Sequence, residues 1–218
     1  MRRGRIAALV LLGALLLALG AGSPVSAQGE TAAAAELRTG EGKAVGMAEF
    51  VETSGGVRIS VEITGNVPPG THGLHIHQKA DLSRSDFESA GDHLNPTGAE
   101  HGFDNPNGPH AGDLKNITVE EDGTASYEYL NDRITLSGGP NSILDTDGSA
   151  LVVHEMNDDY RTDDDPQTGP GTSGDRVAAG VIEAAEPVPD TGGVNVLPLA
   201  ALLLLAGAGI LSFAMRRA

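Results

Sequence analysis

The chain contains no cysteine and no tryptophan. Without cysteine there is no disulfide, no thiolate nucleophile and no thiolate ligand for a metal. Four Phe and three Tyr make up the whole aromatic complement, so any core must be aliphatic. Cations are also scarce, 14 against 30 carboxylates, and Arg2, Arg3, Arg5, Arg216 and Arg217 sit at the extreme ends. With those ends removed, nine cations face 30 carboxylates, a net charge of −21. Such a surface repels nucleic acid and anionic lipid, and its plain consequence is solubility. The 218 residues allow one ordinary domain with terminal extensions.

Both ends read as addresses. Residues 1–27 join a basic start to an apolar run over 6–19 and close on Val25-Ser26-Ala27. This pattern predicts a secretory signal peptide, with an uncleaved anchor as the alternative. Residues 28–36 are polar and Ala-rich and are expected to be a spacer. At the other end Val188-Pro189-Asp190-Thr191-Gly192, within a linker at 186–193, precedes an apolar tail over 194–218 that ends in two arginines. That order resembles the sortase sorting signal of Gram-positive surface proteins, with Val188 where leucine is usual. The resemblance implies cleavage between Thr191 and Gly192 and a sortase and the cell wall as partners. The alternative is a single membrane span with the arginines inside. Either arrangement puts the domain on the outer face of the cell.

Between the ends the pattern is that of strands. Val57-Arg58-Ile59-Ser60-Val61-Glu62-Ile63-Thr64 alternates without a break, and Ser54-Gly55-Gly56 turns the preceding stretch 43–52 back on it. Further strands are expected over 71–77, 116–121, 124–130, 133–136, 149–154 and 175–183. No helix is convincing. Residues 78–112 and 157–174 lack periodicity, and loops of that length in a compact domain need something functional to tie them down. The expected fold is all-β, an eight-stranded sandwich or barrel with two long loops spanning 37–185.

What the chain does have is a concentration of histidine. Six of its seven histidines, His72, His75, His77, His93, His101 and His110, fall within 72–113, and the seventh is His154. Neutral imidazole is the commonest metal ligand. His75 and His77 lie two apart on a strand, so both rings leave one face. As merely hydrogen-bonded neighbours they would need costly polar burial. His93, His101 and His110 with Asp113 form a three-nitrogen, one-carboxylate set that suits zinc. His154 can complete the first pair, and an all-imidazole set suits copper.

The stretches Gly73-Leu74-His75-Ile76-His77, His93-Leu94-Asn95-Pro96, His110-Ala111-Gly112-Asp113-Leu114, Leu151-Val152-Val153-His154-Glu155 and the run from Gly174 to Ile182 resemble copper/zinc superoxide dismutases in order and spacing. The resemblance implies a Greek-key barrel of immunoglobulin-like topology holding copper and zinc. It implies copper on His75, His77, His93 and His154, and zinc on His93, His101, His110 and Asp113. His93 would be shared as an imidazolate and would also take up a proton during catalysis. Asp158 matches the carboxylate that links a copper histidine to a zinc histidine, and Arg176 the arginine beside the copper channel. His72 falls outside the ligand set and is expected to be structural. The implied reaction converts two superoxide ions to dioxygen and peroxide.

Three features depart from the family. Its usual loop-tying disulfide would fall at Leu82 or Phe87 and Ala179, so an apolar contact is expected in its place. Asp163-Asp164-Asp165 put negative charge where an anion must approach, which predicts a rate that does not fall steeply with added salt. Gln78 replaces a glutamate. The competing reading is a copper- and zinc-binding surface protein that stores or delivers metal without turnover. No apolar stripe marks an oligomer face, and the oligomeric state stays open.

Overall fold

The computed structural model describes residues 32–161 and 173–185. The strands are β1 (Ala32–Arg38), β2 (Ala44–Thr53), β3 (Gly56–Ile63), β4 (Gly70–His72), β5 (Leu74–His77), β6 (Ile117–Val119), β7 (Ala125–Asn131), β8 (Ala150–His154), β9 (Arg176–Val181) and β10 (Glu183–Ala185). One 3₁₀ turn, Glu88–Ala90, is the only helical element among the described residues. The main sheet is antiparallel in the order β5-β8-β9-β1-β2-β3-β7, with β10 also paired to β1. β4 and β6 form a separate ribbon that leads into β7 through the turn at 120–124 on one side and into β5 on the other. The curled sheet and ribbon make the all-β barrel that the sequence predicts.

Alternation decides which residues enter the barrel. Val57, Ile59, Val61 and Ile63 of β3 are buried, and Arg58, Ser60 and Glu62 between them are not. Leu74 and Ile76 of β5, with Leu151 and Val153 of β8, join the same aliphatic core around Phe50, Leu37 and Ile59. The opposite faces of β5 and β8 carry His75, His77, Val152 and His154, yet they too are buried. A strand buried on both faces needs a cover, and here the long loops supply it.

Four elements differ from the sequence reading. β1 begins at Ala32, inside the spacer expected over 28–36, because its small side chains fit between β2 and β10. The strand expected over 71–77 is two strands. Gly73 donates to Met156 O and accepts from His154 N, so the chain changes partners there, from β6 to β8. Residues 133–136 form no strand and keep only an isolated bridge from Thr135 to Ser142. The last strand breaks at Ile182, whose N–H goes to Ser149 O, and resumes as β10. The signal peptide, sorting motif, apolar tail and Asp163-Asp164-Asp165 lie outside the described residues. Among those residues no helix is long and apolar enough to cross a membrane.

Where the disulfide is missing, Phe87, Val152 and Ala179 form a small apolar cluster of their own, with Leu82 against it. The expected packing contact is therefore present.

Candidate metal centre

Strand pairing assembles the centre. β5 supplies His75 and His77, and its register with β8 runs His75↔Val152 and His77↔Ala150. The long loop pairs along β5's other edge. His77 bridges to His93 and His75 to Asp113, through Leu94 N to Ile76 O and Ile76 N to Gly112 O. Gly112 is needed at this seam, since a Cβ there would stand 2.2 Å from Ile76 O. His154 enters from the end of β8, opposite Arg176 of β9.

Two sets of ligand-type atoms result, each with all its atoms within 4.8 Å of one another. One is His75, His77, His93 and His154, and the other is His93, His101, His110 and Asp113. His93 belongs to both. These are the residues that the sequence singles out, and all of them come together. A third grouping, His75, His101 and Asp158, satisfies the same distance test. Its carboxylate already binds both rings, Oδ2 to His75 Nε2 at 2.8 Å and Oδ1 to His101 Nε2 at 3.1 Å, which leaves no gap for an ion.

Hydrogen bonds fix which nitrogen each ring turns inward. His75 Nε2 is held by Asp158, so Nδ1 remains, buried and without a hydrogen-bond partner. His77 Nδ1 is held by Gly91 O at 2.8 Å and His154 Nδ1 by Gly174 O at 3.3 Å. Their two Nε2 atoms then face each other at 3.4 Å. His93 Nδ1 lies 3.0 Å from Asp113 Oδ1, so Nε2 is the atom left for the all-histidine set. His101 Nδ1 and His110 Nδ1 are 3.1 and 3.3 Å from Asp113 oxygens but lack hydrogen-bond geometry. Three buried, unsatisfied imidazole nitrogens in one cluster call for a cation, because burying such atoms unpaired is costly. Outer partners that orient each ring in this way are the usual support of a metal site. The donor sets fit copper and zinc: nitrogen only in one, three nitrogens and a carboxylate in the other.

The electrostatics agree. Burial holds His75 down to about 4, with the Asp158 hydrogen bond opposing it. Burial, aided by its histidine neighbours, takes His93 and His154 down to about 3. These rings are neutral and keep their lone pairs at ordinary pH. Asp113 is fully buried, which by itself would raise it, yet the His101, His110 and His93 rings beside its carboxylate outweigh desolvation and hold it far below the usual carboxylate range. His101 is the exception. Desolvation lowers it, but Asp113 and Asp158 together raise it to about 10.

A pH dependence follows for the protein stripped of metal. His75, His93 and His154 titrate near 6.5 when unfolded and at about 3–4 when folded, so the unfolded chain binds more protons between those values. Their contribution is complete above pH 6.5 and is lost as the pH falls, each by up to about 1.4 kcal/mol per pH unit. His101 acts oppositely, in full below pH 6.5 and lost as pH rises toward 10. Melting of the metal-stripped protein at pH 7.5 and pH 5 should show a drop of about 5 °C or more on acidification. An unchanged or higher melting temperature at pH 5 would contradict the buried, neutral assignment.

Among the described residues, Arg176 is held by the first long loop. Its guanidinium donates to Phe87 O at 2.7 Å and Gly91 O at 2.9 Å, with Glu88 3.5 Å away. Gly91 O also holds His77, so Arg176 and a centre histidine share one carbonyl. His72 lies between His154 O and Pro68 O, the structural place expected of it. Sequence reasoning missed Asn116. Its side chain donates to Asp158 O and accepts from Asp158 N, both at 2.9 Å. Only the Asp113-Leu114-Lys115-Asn116 adjacency hinted at it.

Comparisons with known proteins agree with this geometry. Residues 44–182 match the family model described as copper/zinc superoxide dismutase (SODC). "Superoxide dismutase [Cu-Zn] 2" of Aquifex aeolicus is 40% identical over 174 residues, covering 79% of this chain and 96% of its own. "Superoxide dismutase [Cu-Zn]" of Caulobacter vibrioides is 39% identical over 154 residues, covering 69% and 85%. The crystal structure of a double mutant of a SOD-like protein from Bacillus subtilis superposes with a TM-score of 0.63 at 42% identity, covering 68% of this chain and 95% of that one. With its barrel, its paired donor sets and these relatives in agreement, the chain belongs to the copper/zinc superoxide dismutase family.

Proposed function

We propose that this protein dismutes superoxide to dioxygen and hydrogen peroxide outside the cytoplasm. In this reading His75, His77, His93 and His154 hold copper, and His93, His101, His110 and Asp113 hold zinc. The observation that carries it is the double membership of His93. Copper held there would supply one-electron redox chemistry, and zinc a fixed positive charge.

The chain's own residues do the rest. With Nδ1 directed to the Asp113 side, His93 has one nitrogen, Nε2, at which to take and give a proton. A ring so placed can hand over one of the two protons that hydrogen peroxide needs, the second coming from solvent. Asp158 keeps His75 and His101 in register, so the two sets cannot drift apart. Arg176 offers a permanent cation to a small anion, and its two carbonyl bonds hold the guanidinium still. Arg176→Ile is expected to lower kcat/KM about tenfold or more with copper and zinc contents unchanged. A variant that keeps the full rate removes Arg176 from anion capture.

Export is supported by the basic-apolar leader over 1–27, and surface attachment by the pentapeptide, apolar run and basic end of the tail. Fractionation of cells expressing the intact gene and a Thr191→Ala variant tests both. Wall-bound protein that becomes membrane-bound in the variant supports sortase processing. Protein found in the cytoplasm overturns export.

The test of the activity is metal content of the purified protein together with its superoxide-removing rate. One copper and one zinc per chain with rapid removal is the expected result. Full loading without turnover would support storage or delivery instead.

A further inference from the structure

The chain is poor in aromatics, yet four of its seven Phe and Tyr residues, Phe103, Tyr127, Tyr129 and Tyr160, gather beside the centre. Two cations meet them. Lys115 Nζ lies 3.6 Å from the centroid of the Phe103 ring and 4.5 Å from that of Tyr160. The two rings meet edge to face, 5.5 Å apart at 89°. The Arg133 guanidinium carbon lies 5.3 Å from Phe103. Phe103 belongs to the first long loop, Tyr160 to the second, and Lys115 to the segment that leads into β6.

Each partner continues into the centre. Tyr160 N donates to Asp158 Oδ1 at 2.8 Å, and Tyr160 Oη accepts from Asn116 N at 2.7 Å. Asn116 then brackets the Asp158 backbone from both sides. Asp158 is the carboxylate between His75 and His101. On the other side Arg133 donates to Asp113 O at 2.9 Å and His110 O at 3.3 Å. Tyr160 O accepts from Asp104 N, and Gly102 passes so close beneath it that a Cβ would stand 2.2 Å from that oxygen. Tyr160 itself has a φ of 63°, an uncommon conformation for a bulky residue, which tertiary contacts must hold.

We infer that Lys115 is a positioning residue: its ammonium, clasped between Phe103 and Tyr160, ties the two long loops together and thereby fixes Asp158 against His75 and His101. The inference rests on the proposed copper and zinc assignment. It gives the cysteine-free chain a non-covalent tie where both loops meet, on different residues from the Phe87–Ala179 contact. The ammonium keeps its edge in water while its charge faces two π surfaces, so the interaction carries little desolvation penalty. A lysine that was only a surface cation would affect none of this.

The test compares the full-length protein loaded with copper and zinc as wild type, Lys115→Met and Lys115→Arg. It reads zinc release to excess chelator and the copper paramagnetic resonance spectrum. Lys115→Met keeps the apolar stem and should speed zinc release about fivefold and broaden the copper spectrum. Lys115→Arg, which stacks on the same rings, should return both to within about twofold of wild type. Phe103→Leu should reproduce the Lys115→Met effects, and the double variant should be no worse than Phe103→Leu alone. Unchanged zinc release and copper spectrum in Lys115→Met, or effects of the two substitutions that simply add, would overturn the clasp. Failure of the dismutase reading would appear separately, as a wild-type protein that binds zinc but removes no superoxide.

Discussion

Replacing His154 with Ala should lower the superoxide-removing rate by about a hundredfold or more and leave zinc in place. His154 is in the all-histidine set and not in the set built on Asp113. Its Nδ1 is anchored to Gly174 O, so its Nε2 has no role except toward His77 and its neighbours. Deleting the ring removes one of four nitrogens and opens the set on the side of Arg176. Loss of an outer hydrogen-bonding partner alone costs a metal site roughly ten- to a hundredfold in affinity or activity, and loss of a direct ligand costs more. The zinc set keeps all four of its groups. Activity assays with metal analysis of the same sample check the result. A variant that retains a third of the rate would remove His154 from the copper set. Loss of zinc along with copper would mean that the two sets do not stand independently.

Zinc should be worth about 10 °C or more in melting temperature. The loop over 78–112 contains one 3₁₀ turn and only isolated bridges. No disulfide ties it, since the chain has no cysteine, and closing such a loop covalently is typically worth about 3–5 kcal/mol. The Phe87, Val152 and Ala179 cluster is small and leaves the far half of the loop to other ties. His93, His101, His110 and Asp113 are spread along that half, and Asp113 Oδ2 also accepts from Gly102 N and His110 N. An ion bound to these four residues therefore joins three separate turns of chain. Metal that binds only the folded state adds about 4 kcal/mol at a thousand times its dissociation constant. Calorimetry with zinc and after chelation measures the difference. A shift near zero would show that the loop holds its shape without the metal.

The centre was unusually legible because its chemistry is concentrated in one residue type. Six histidines within 72–113 and one at the end of an apolar strand point to two donor sets, and only the resemblance to the family places His93 in both. The period-two run of β3 is equally plain, since one face is solvated and alternation survives. Legibility failed where pairing, not pattern, decides. Residues 32–36 read as a spacer because alanine carries little hydrophobic signal, yet small side chains suit a strand crowded between two partners. The change of partners at Gly73 and at Ile182 is a property of the assembled barrel that no window of sequence contains. Asn116 and Lys115 carry no signal in the sequence, because each acts on residues about 45 positions away in the chain or across a loop. Their partners become apparent only when both loops are in place.

In this reading His93 stands between two different ions. Anomalous diffraction from crystals of the metal-loaded protein, recorded at the copper and zinc edges, tests this directly. Copper beside His93 Nε2 and zinc beside His93 Nδ1 is the predicted result. A single ion, or two ions that both leave His93 untouched, would contradict it.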